Sequence, residues 1–292
     1  MNMVLKSLIE PFEKSSVQKK KQLLRELFQE VVLSALSKWG FFGHAAFYGG
    51  TALRILHGLP RYSEDLDFTL LAANKEFDFA PSYPYIKNEF AASGFPFEVE
   101  CGSKDKKGES NIGASMVSIN CAEAIRFCFG VAEASKVISN EKIRIKVEAD
   151  LNPPLGFNPI AAYISYPFPS KIMTLDLPSL FAGKIAACLL RKWGNRVKGR
   201  DFFDYSYLIG IHSKVNLRFL KSKLVRAGVI DTGEDLTIGL VKNLMRERIR
   251  CIDWDSAKED VRSFVNDPRY FDGFNSEYFL SITDRLEEET LA

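Results

Sequence analysis

Apolar residues recur at three- and four-residue steps over residues 17–38, at Leu23, Leu24, Leu27, Val31, Val32 and Leu36, and this spacing predicts a helix. "AAFYGG" follows as a short apolar segment stopped by glycine. "TALRILHG" then reads as a short helix ended by Gly58 and Pro60. In "SEDLDFTLL" polar and apolar positions alternate, which predicts a strand. A helix is expected over residues 84–93. "FPFEVECGSKDKKGESNIGASMVSINCA" reads as two strands around a charged, glycine-bearing hairpin loop. "EKIRIKVEADLNPP" is the clearest strand in the chain, closed by its double proline. From Leu177 onward the pattern is helical to the end, through "LPSLFAGKIAACLLRKWG", "RDFFDYSYLIGI", "NLRFLKSKLVRAG", "DLTIGLVKNLMRERIRCI" and "SEYFLSITDRLEEE". Residues 152–177, rich in proline and aromatics, mark the boundary between a mixed α/β half and a helical half. There is no internal repeat and no low-complexity tract.

The strand pattern turns two carboxylates toward the same side. Asp65 and Asp67 alternate with Leu66 and Phe68, so the acids share one face and the apolar pair faces the core. Like charges so close are costly unless solvent or a cation lies between them. A hard divalent ion such as Mg²⁺ suits them, because it takes oxygen ligands and leaves room for substrate phosphates. A solvated strand face is the plainer reading of any Asp-x-Asp. The preceding turn shifts the balance: Gly49, Gly50 and Thr51 open a helix with bare N–H groups and a hydroxyl at its positive end, which is anion-binding chemistry. Thr51 is also suited to cap that helix.

In "KIRIKVEAD", Ile143, Ile145, Val147 and Ala149 fall on one face, and Arg144, Lys146, Glu148 and Asp150 on the other. A third metal-binding carboxylate could come from Glu148 or Asp150. An exposed face of offsetting charges is the alternative. In "SLFAGKIAACLL", Lys184 falls inside the apolar arc, between Leu180 and Cys188. It either snorkels to the rim or is aimed at something negative, such as a triphosphate. Asp201 and Asp204 lie one helical turn apart on a helix that is apolar nearly all round. Asp201 could be an N-terminal cap, whereas Asp204 sits beside Tyr207 and Leu208.

Composition adds limits. The chain has 292 residues, 46% of them hydrophobic and 26% charged, with a net charge of +2. That length accommodates one large domain or two modest ones, and the charge gives no global nucleic-acid signature. A polyanion would have to be met locally. Lys184, Arg191, Lys192, Arg196, Lys198 and Arg200 form such a run, with no acid between them. Five scattered cysteines without a CxxC pair and three isolated histidines argue against zinc. They read as buried thiols in a reducing cytosol. No apolar run is long enough to span a membrane, and the N-terminus lacks a secretory pattern, so a cytoplasmic protein is expected.

Two stretches, "FYGGTALRILHGLPRYSEDLDF" (47–68) and "LFAGKIAACLLRKWGNRVKGRDFFDYSYL" (180–208), resemble the AbiEii/AbiGii nucleotidyltransferase-like toxins of bacterial abortive-infection systems, within the DNA polymerase beta-type superfamily. The resemblance implies an α+β fold: a polymerase beta-type core with a mixed sheet and an N-terminal helix over residues 1–165, then an α-helical domain over 166–292. It implies that Gly50 and Thr51 hold a nucleoside triphosphate, whose phosphates would sit at the turn from Gly49 to Thr51. Asp65 and Asp67 would bind Mg²⁺ with Asp150 or Glu148. Lys184 would contact the phosphates, and Asp201 or Asp204 would complete the catalytic set. Many members carry serine where this chain has Thr51, and the hydroxyl is kept. An antitoxin partner, a role in phage defence and nucleotide addition to the 3′ end of tRNA are implied in the same way.

On this reading Lys146, Lys184, Arg200 and neighbouring arginines stabilise phosphates. Arg61 and Ser63 either steer the nucleotide or fix the strand's entry. The rival readings are an NTP- or GTP-binding switch or scaffold of the same fold without transferase activity, a metal-dependent nuclease or phosphohydrolase on the same carboxylates, and an interaction module using the basic helical half alone.

Overall fold

The computed structural model describes residues 3–103, 111–191 and 197–289. The elements in chain order are α1 (Met3–Ile9), α2 (Val17–Trp39), β1 (Ala45–Tyr48), α3 (Gly49–His57), β2 (Leu66–Leu70), α4 (Tyr83–Ala92), β3 (Val99–Ser103), β4 (Ile112–Asn120), α5 (Cys121–Phe129), α6 (Val131–Ala134) and β5 (Lys142–Asp150). They continue with β6 (Pro159–Ile164), β7 (Ser170–Leu175), α7 (Leu177–Leu190), α8 (Gly199–Gly210), α9 (Leu217–Arg226), α10 (Ile238–Arg250), α11 (Trp254–Arg262) and α12 (Ser276–Thr283).

Two compact units emerge, and neither is continuous in sequence. The first takes Met1–Ala52, Ser63–Pro153 and Ala161–Thr174; the second takes Leu53–Tyr62, Pro154–Ile160 and Leu175–Ala292.

The first unit is built on a seven-stranded sheet in the order β3-β4-β5-β2-β1-β7-β6. The sheet is mixed: β1 runs antiparallel to β2, β2 parallel to β5, and β5 antiparallel to β4. Alternation explains β5, whose Ile143, Ile145, Val147 and Ala149 are buried. Helix α2 starts where the Ser16 hydroxyl accepts from Lys19 N–H and stops at Gly40, whose φ of +84° is left-handed. Its buried face includes Leu24, Phe28, Val31 and Leu36. Phe28 meets the rings of Phe90, Phe95 and Phe97, which ties α2 to α4 and the segment leading into β3.

In the second unit Phe202 of α8, Trp254 of α11 and Phe279 of α12 pack against one another, with Phe274 on Trp254 and Phe279. A Cβ at Gly199 would run into the Ala257 backbone, so that glycine permits the close approach of α8 to α11. Arg248 donates to the carbonyls of Cys188 (3.1 Å) and Arg191 (2.7 Å) and so satisfies the C-terminal turn of α7.

The mixed sheet followed by helices agrees with the α+β expectation. Strands β6 and β7 and helices α5 and α6 were not anticipated. In β6, Ile160 (43% exposed) and Tyr163 (70%) face solvent, as befits an edge strand, so the expected in–out alternation is missing. The proline- and aromatic-rich segment therefore includes an edge of the sheet. Among the described residues no helix is long and apolar enough to cross a membrane. Cys121, Cys128 and Cys188 are buried thiols as expected, whereas Cys101 is half-buried and Cys251 exposed.

Candidate functional site

In the first unit, β1 delivers the chain directly into α3, with both glycines inside the helix rather than before it. Gly49 is left-handed, at φ +86°, and a Cβ there would strike the Asp67 carboxylate. Both facts require glycine. The N-terminus of α3 therefore lies directly beside Asp67.

Thr51 is fully buried, and its hydroxyl donates to the backbone carbonyl of Asp65. Its oxygen is thus spent on fixing the entry to β2 instead of reaching into a phosphate site. Two further contacts hold that entry. The buried Gln29 amide donates to the Ser63 carbonyl at 3.2 Å, and Arg25 pairs with Glu64 at 3.2 Å. Both come from α2. Asp65 is exposed and precedes β2, while Asp67 is half-buried within it. Leu66 and Phe68 are fully buried on the opposite face.

Register decides which β5 carboxylate neighbours Asp67. Asp67 lies opposite Glu148, and Asp150 lies opposite Thr69, farther along the strands. Asp150 Oδ1 also accepts from Asn152 N–H at 3.1 Å, at the turn that closes β5. The Lys146 ammonium sits 2.6 Å from Glu148 Oε1, so Lys146 joins this face through Glu148. Tyr48 lies opposite Asp67 on the other side, giving a row Tyr48–Asp67–Glu148 across β1, β2 and β5. Tyr48 was missed in the sequence; its place immediately before the glycine turn, at the end of a strand, was the available signal.

Among the described residues no three carboxylate, imidazole or thiol groups converge as a ready-made metal cage. The trio Asp65, Asp67 and Asp150 is accordingly not gathered. The donors present are nevertheless hard oxygens, and the absence of a Cβ at Gly49 lets the Asp67 carboxylate come up against the start of α3. That fits a Mg²⁺ ion held by one or two carboxylates and completed by substrate oxygens.

In the second unit, Asp204 is fully buried and receives Arg61 through two parallel contacts, Nε to Oδ1 and Nη2 to Oδ2, each 2.6 Å. Lys184 Nζ lies 2.6 Å from Asp204 Oδ2 and 3.9 Å from Asp201 Oδ1. Arg191 bonds Asp201 Oδ2 at 2.6 Å. Burial would raise the Asp204 pKa, but Arg61 and Lys184 more than offset it, and the carboxyl is held below its ordinary value. Burial, then Asp201, pushes the neighbouring Cys188 thiol well up.

Of the two readings of Lys184 in the apolar arc, the structure has it aimed at something negative, and within this unit that group is Asp204. Asp201 is not the cap of α8; Lys198 occupies that position. Arg61 also donates to the Tyr62 carbonyl at 2.9 Å, which favours fixing the chain over steering a nucleotide. Arg200 pairs with the buried Asp260 at 3.3 Å and lies over the Phe264 ring at 4.1 Å, so its guanidinium anchors α8 to α11. Lys192 and Arg196 of the basic run lie outside the described residues.

No curated protein matches the chain. Among solved structures, a candidate nucleotidyltransferase from H. pylori is similar at 14% identity over 90% of this chain and 92% of that one, with a TM-score of 0.49. The JHP933 protein from Helicobacter pylori is similar at 16% identity over 90% and 89%, with a TM-score of 0.47. The family model described as the nucleotidyl transferase AbiEii toxin of type IV toxin–antitoxin systems matches residues 31–276, a span that takes in the glycine turn, the Asp65 and Asp67 carboxylates and the Arg61–Asp204–Lys184 cluster, and the chain belongs to that family of nucleotidyltransferases.

Proposed function

We propose that this nucleotidyltransferase toxin transfers a nucleotide from a nucleoside triphosphate to an RNA acceptor, the 3′ end of tRNA, in the bacterial cytoplasm. The observation that carries the reading is the placement of Asp67 between Glu148 on β5 and the N-terminus of α3. Backbone N–H groups at Gly49 and Gly50, at the positive end of α3, receive the phosphates. Asp65 and Asp67 are the residues that would hold Mg²⁺. When bound, Mg²⁺ lowers the pKa of the attacking hydroxyl and neutralises the leaving pyrophosphate.

The acceptor oxygen bonds the α-phosphorus as the bond to the β-phosphate bridge breaks and pyrophosphate departs. Glu148 takes the hydroxyl proton, with the Lys146 ammonium beside it. Thr51, Gln29 and Arg25 hold Asp65 and its approach in place. In the second unit Asp204 organises Arg61 and Lys184, and Asp201 adds Arg191. An antitoxin encoded alongside would restrain this activity, and phage infection would be the setting for its release.

The test is a transfer assay with Mg²⁺, each of the four labelled nucleoside triphosphates and total bacterial RNA, beside an Asp65→Ala/Asp67→Ala variant. Label entering an RNA band only with the parent protein supports the reading and names the nucleotide. Nucleotide binding without label in RNA or protein would replace it with a switch of the same fold.

A further inference from the structure

At the other end of the first unit's central strands lies a cavity of about 550 Å³. Its place is given by register: Tyr48 pairs with Asp67 at the glycine-turn end of β1, whereas Ala45 pairs with Leu70 at the cavity end. At ~3.3 Å per residue the two ends are roughly 10 Å apart along the sheet. The cavity is thus distinct from the Asp67 site.

One wall is aromatic. Trp39 stacks on Phe41 with centroids 5.8 Å apart and planes within 8°, and Phe77 closes on both at 6.2 and 5.6 Å. Trp39 and Phe77 are only half-buried, so this cluster still presents ring surface to the space. His44, Asn74 and Asp78 add polar groups to the lining at exposed positions, and backbone hydrogen bonds hold this part of the chain. Leu71 N–H bonds the His44 carbonyl at 2.8 Å, and Asn74 N–H bonds the Leu151 carbonyl at 2.9 Å. Asn74 Oδ1 accepts from Glu76 N–H and Asp78 Oδ1 from Ala80 N–H, each at 3.1 Å, which fixes both side chains from one end and leaves the amide nitrogen and the second carboxylate oxygen as the remaining polar ends.

We infer that this cavity binds a nucleobase, its ring against the Trp39–Phe77 cluster and its edge on Asn74 and Asp78. The volume is ample for one nucleoside. Rings supply stacking, and an amide plus a carboxylate are the groups that read base edges. An ionised carboxylate only accepts, so it selects edges rich in N–H donors and places guanine first. Among the described residues that line the cavity there is no lysine or arginine, so the ligand is recognised through its base.

The test uses the full chain and equilibrium dialysis with unphosphorylated guanosine, adenosine, cytidine and uridine, and separately with a short single-stranded oligoribonucleotide. Saturable binding is expected, tightest for guanosine. It should weaken at least tenfold in Ala72→Phe, which fills the cavity, and Asp78→Asn should lower the guanosine preference at least threefold. The Asp65→Ala/Asp67→Ala variant should bind as the parent does. Binding of nucleosides marks a free nucleoside or nucleotide as the source, and binding of the oligonucleotide alone marks an RNA base. No binding of either, binding unmoved by both cavity variants, or binding lost with the Asp65/Asp67 pair would each overturn the inference. Circular dichroism of Ala72→Phe, an exposed position, checks that it folds, and Asp78→Asn keeps the bond to Ala80 and serves as the conservative arm.

Discussion

The Arg61 guanidinium meets the fully buried Asp204 carboxylate through two contacts of 2.6 Å, and Lys184 completes the cluster from α7. Removing the acid leaves two cations without their charge partner in a dry interior. Asp204→Ala is therefore expected to cost on the order of 3–5 kcal/mol in denaturant unfolding. A loss below about 1 kcal/mol would show that the cluster is solvated rather than buried. The sign with pH follows from the lowered pKa: the stabilisation is complete above the ordinary aspartate value and is lost as pH falls through the folded-state value beneath it. The parent should lose stability on acidification over that range more steeply than an Arg61→Met/Asp204→Leu double variant.

Gly49 and Gly50 are adjacent in sequence and unequal in structure. Gly49 has a left-handed φ, which Gly50 lacks, and a Cβ at Gly49 would strike Asp67. Gly49→Ala should cost about 1–2 kcal/mol in backbone conformation alone. It should also displace the carboxylate, so transfer should fall by roughly a hundredfold or more. Gly50→Ala should be milder in stability. Equal thermal shifts for the two variants would contradict the assignment of the close approach to Gly49.

The parts of this site that could be read from sequence were those set by local periodicity. Alternation placed Leu66 and Phe68 inside and Asp67 outside, and the apolar arc of α7 marked Lys184 as a cation in need of an anion. Pairing across the sheet was not legible, because register depends on which strands adjoin. That is why Glu148 and Asp150 could not be separated until β5 was seen beside β2. Partners distant in sequence were hidden for the same reason. The anchoring of Arg200 by Asp260 and of Ser63 by Gln29 leaves no trace in local composition. Strand β6 escaped because an edge strand exposed on both faces carries no alternation to detect.

That register makes a sharp distinction between two nearby acids. Glu148 adjoins Asp67, whereas Asp150 caps the turn at Asn152. Glu148→Gln should reduce kcat by ~10²-fold or more with little change in fold. Asp150→Asn should keep most of the activity and lose a fraction of a kcal/mol to about 1 kcal/mol from the turn. The comparison is made under saturating nucleotide, with unfolding measured on both. A dead Asp150→Asn beside an active Glu148→Gln would reverse the assignment.

Glu30 on α2 gives the clearest expected response to alkaline pH. Burial, then repulsion from Glu26, raises its pKa from 4.5 to about 8. The folded protein therefore keeps a proton that the unfolded chain releases near 4.5. The stabilisation tied to that proton is complete below pH 4.5 and declines as pH rises, until the folded carboxyl has ionised above about 8. One pKa unit corresponds to about 1.4 kcal/mol, so after allowing for partial solvation the decline should amount to roughly 3 kcal/mol. Glu30→Gln keeps the neutral shape and removes the titration. Its stability should match the parent near pH 5 and exceed it near pH 9. The measurement is a pair of urea titrations at those two pH values, and a gap that fails to widen between them would mean that Glu30 is ionised in the fold throughout.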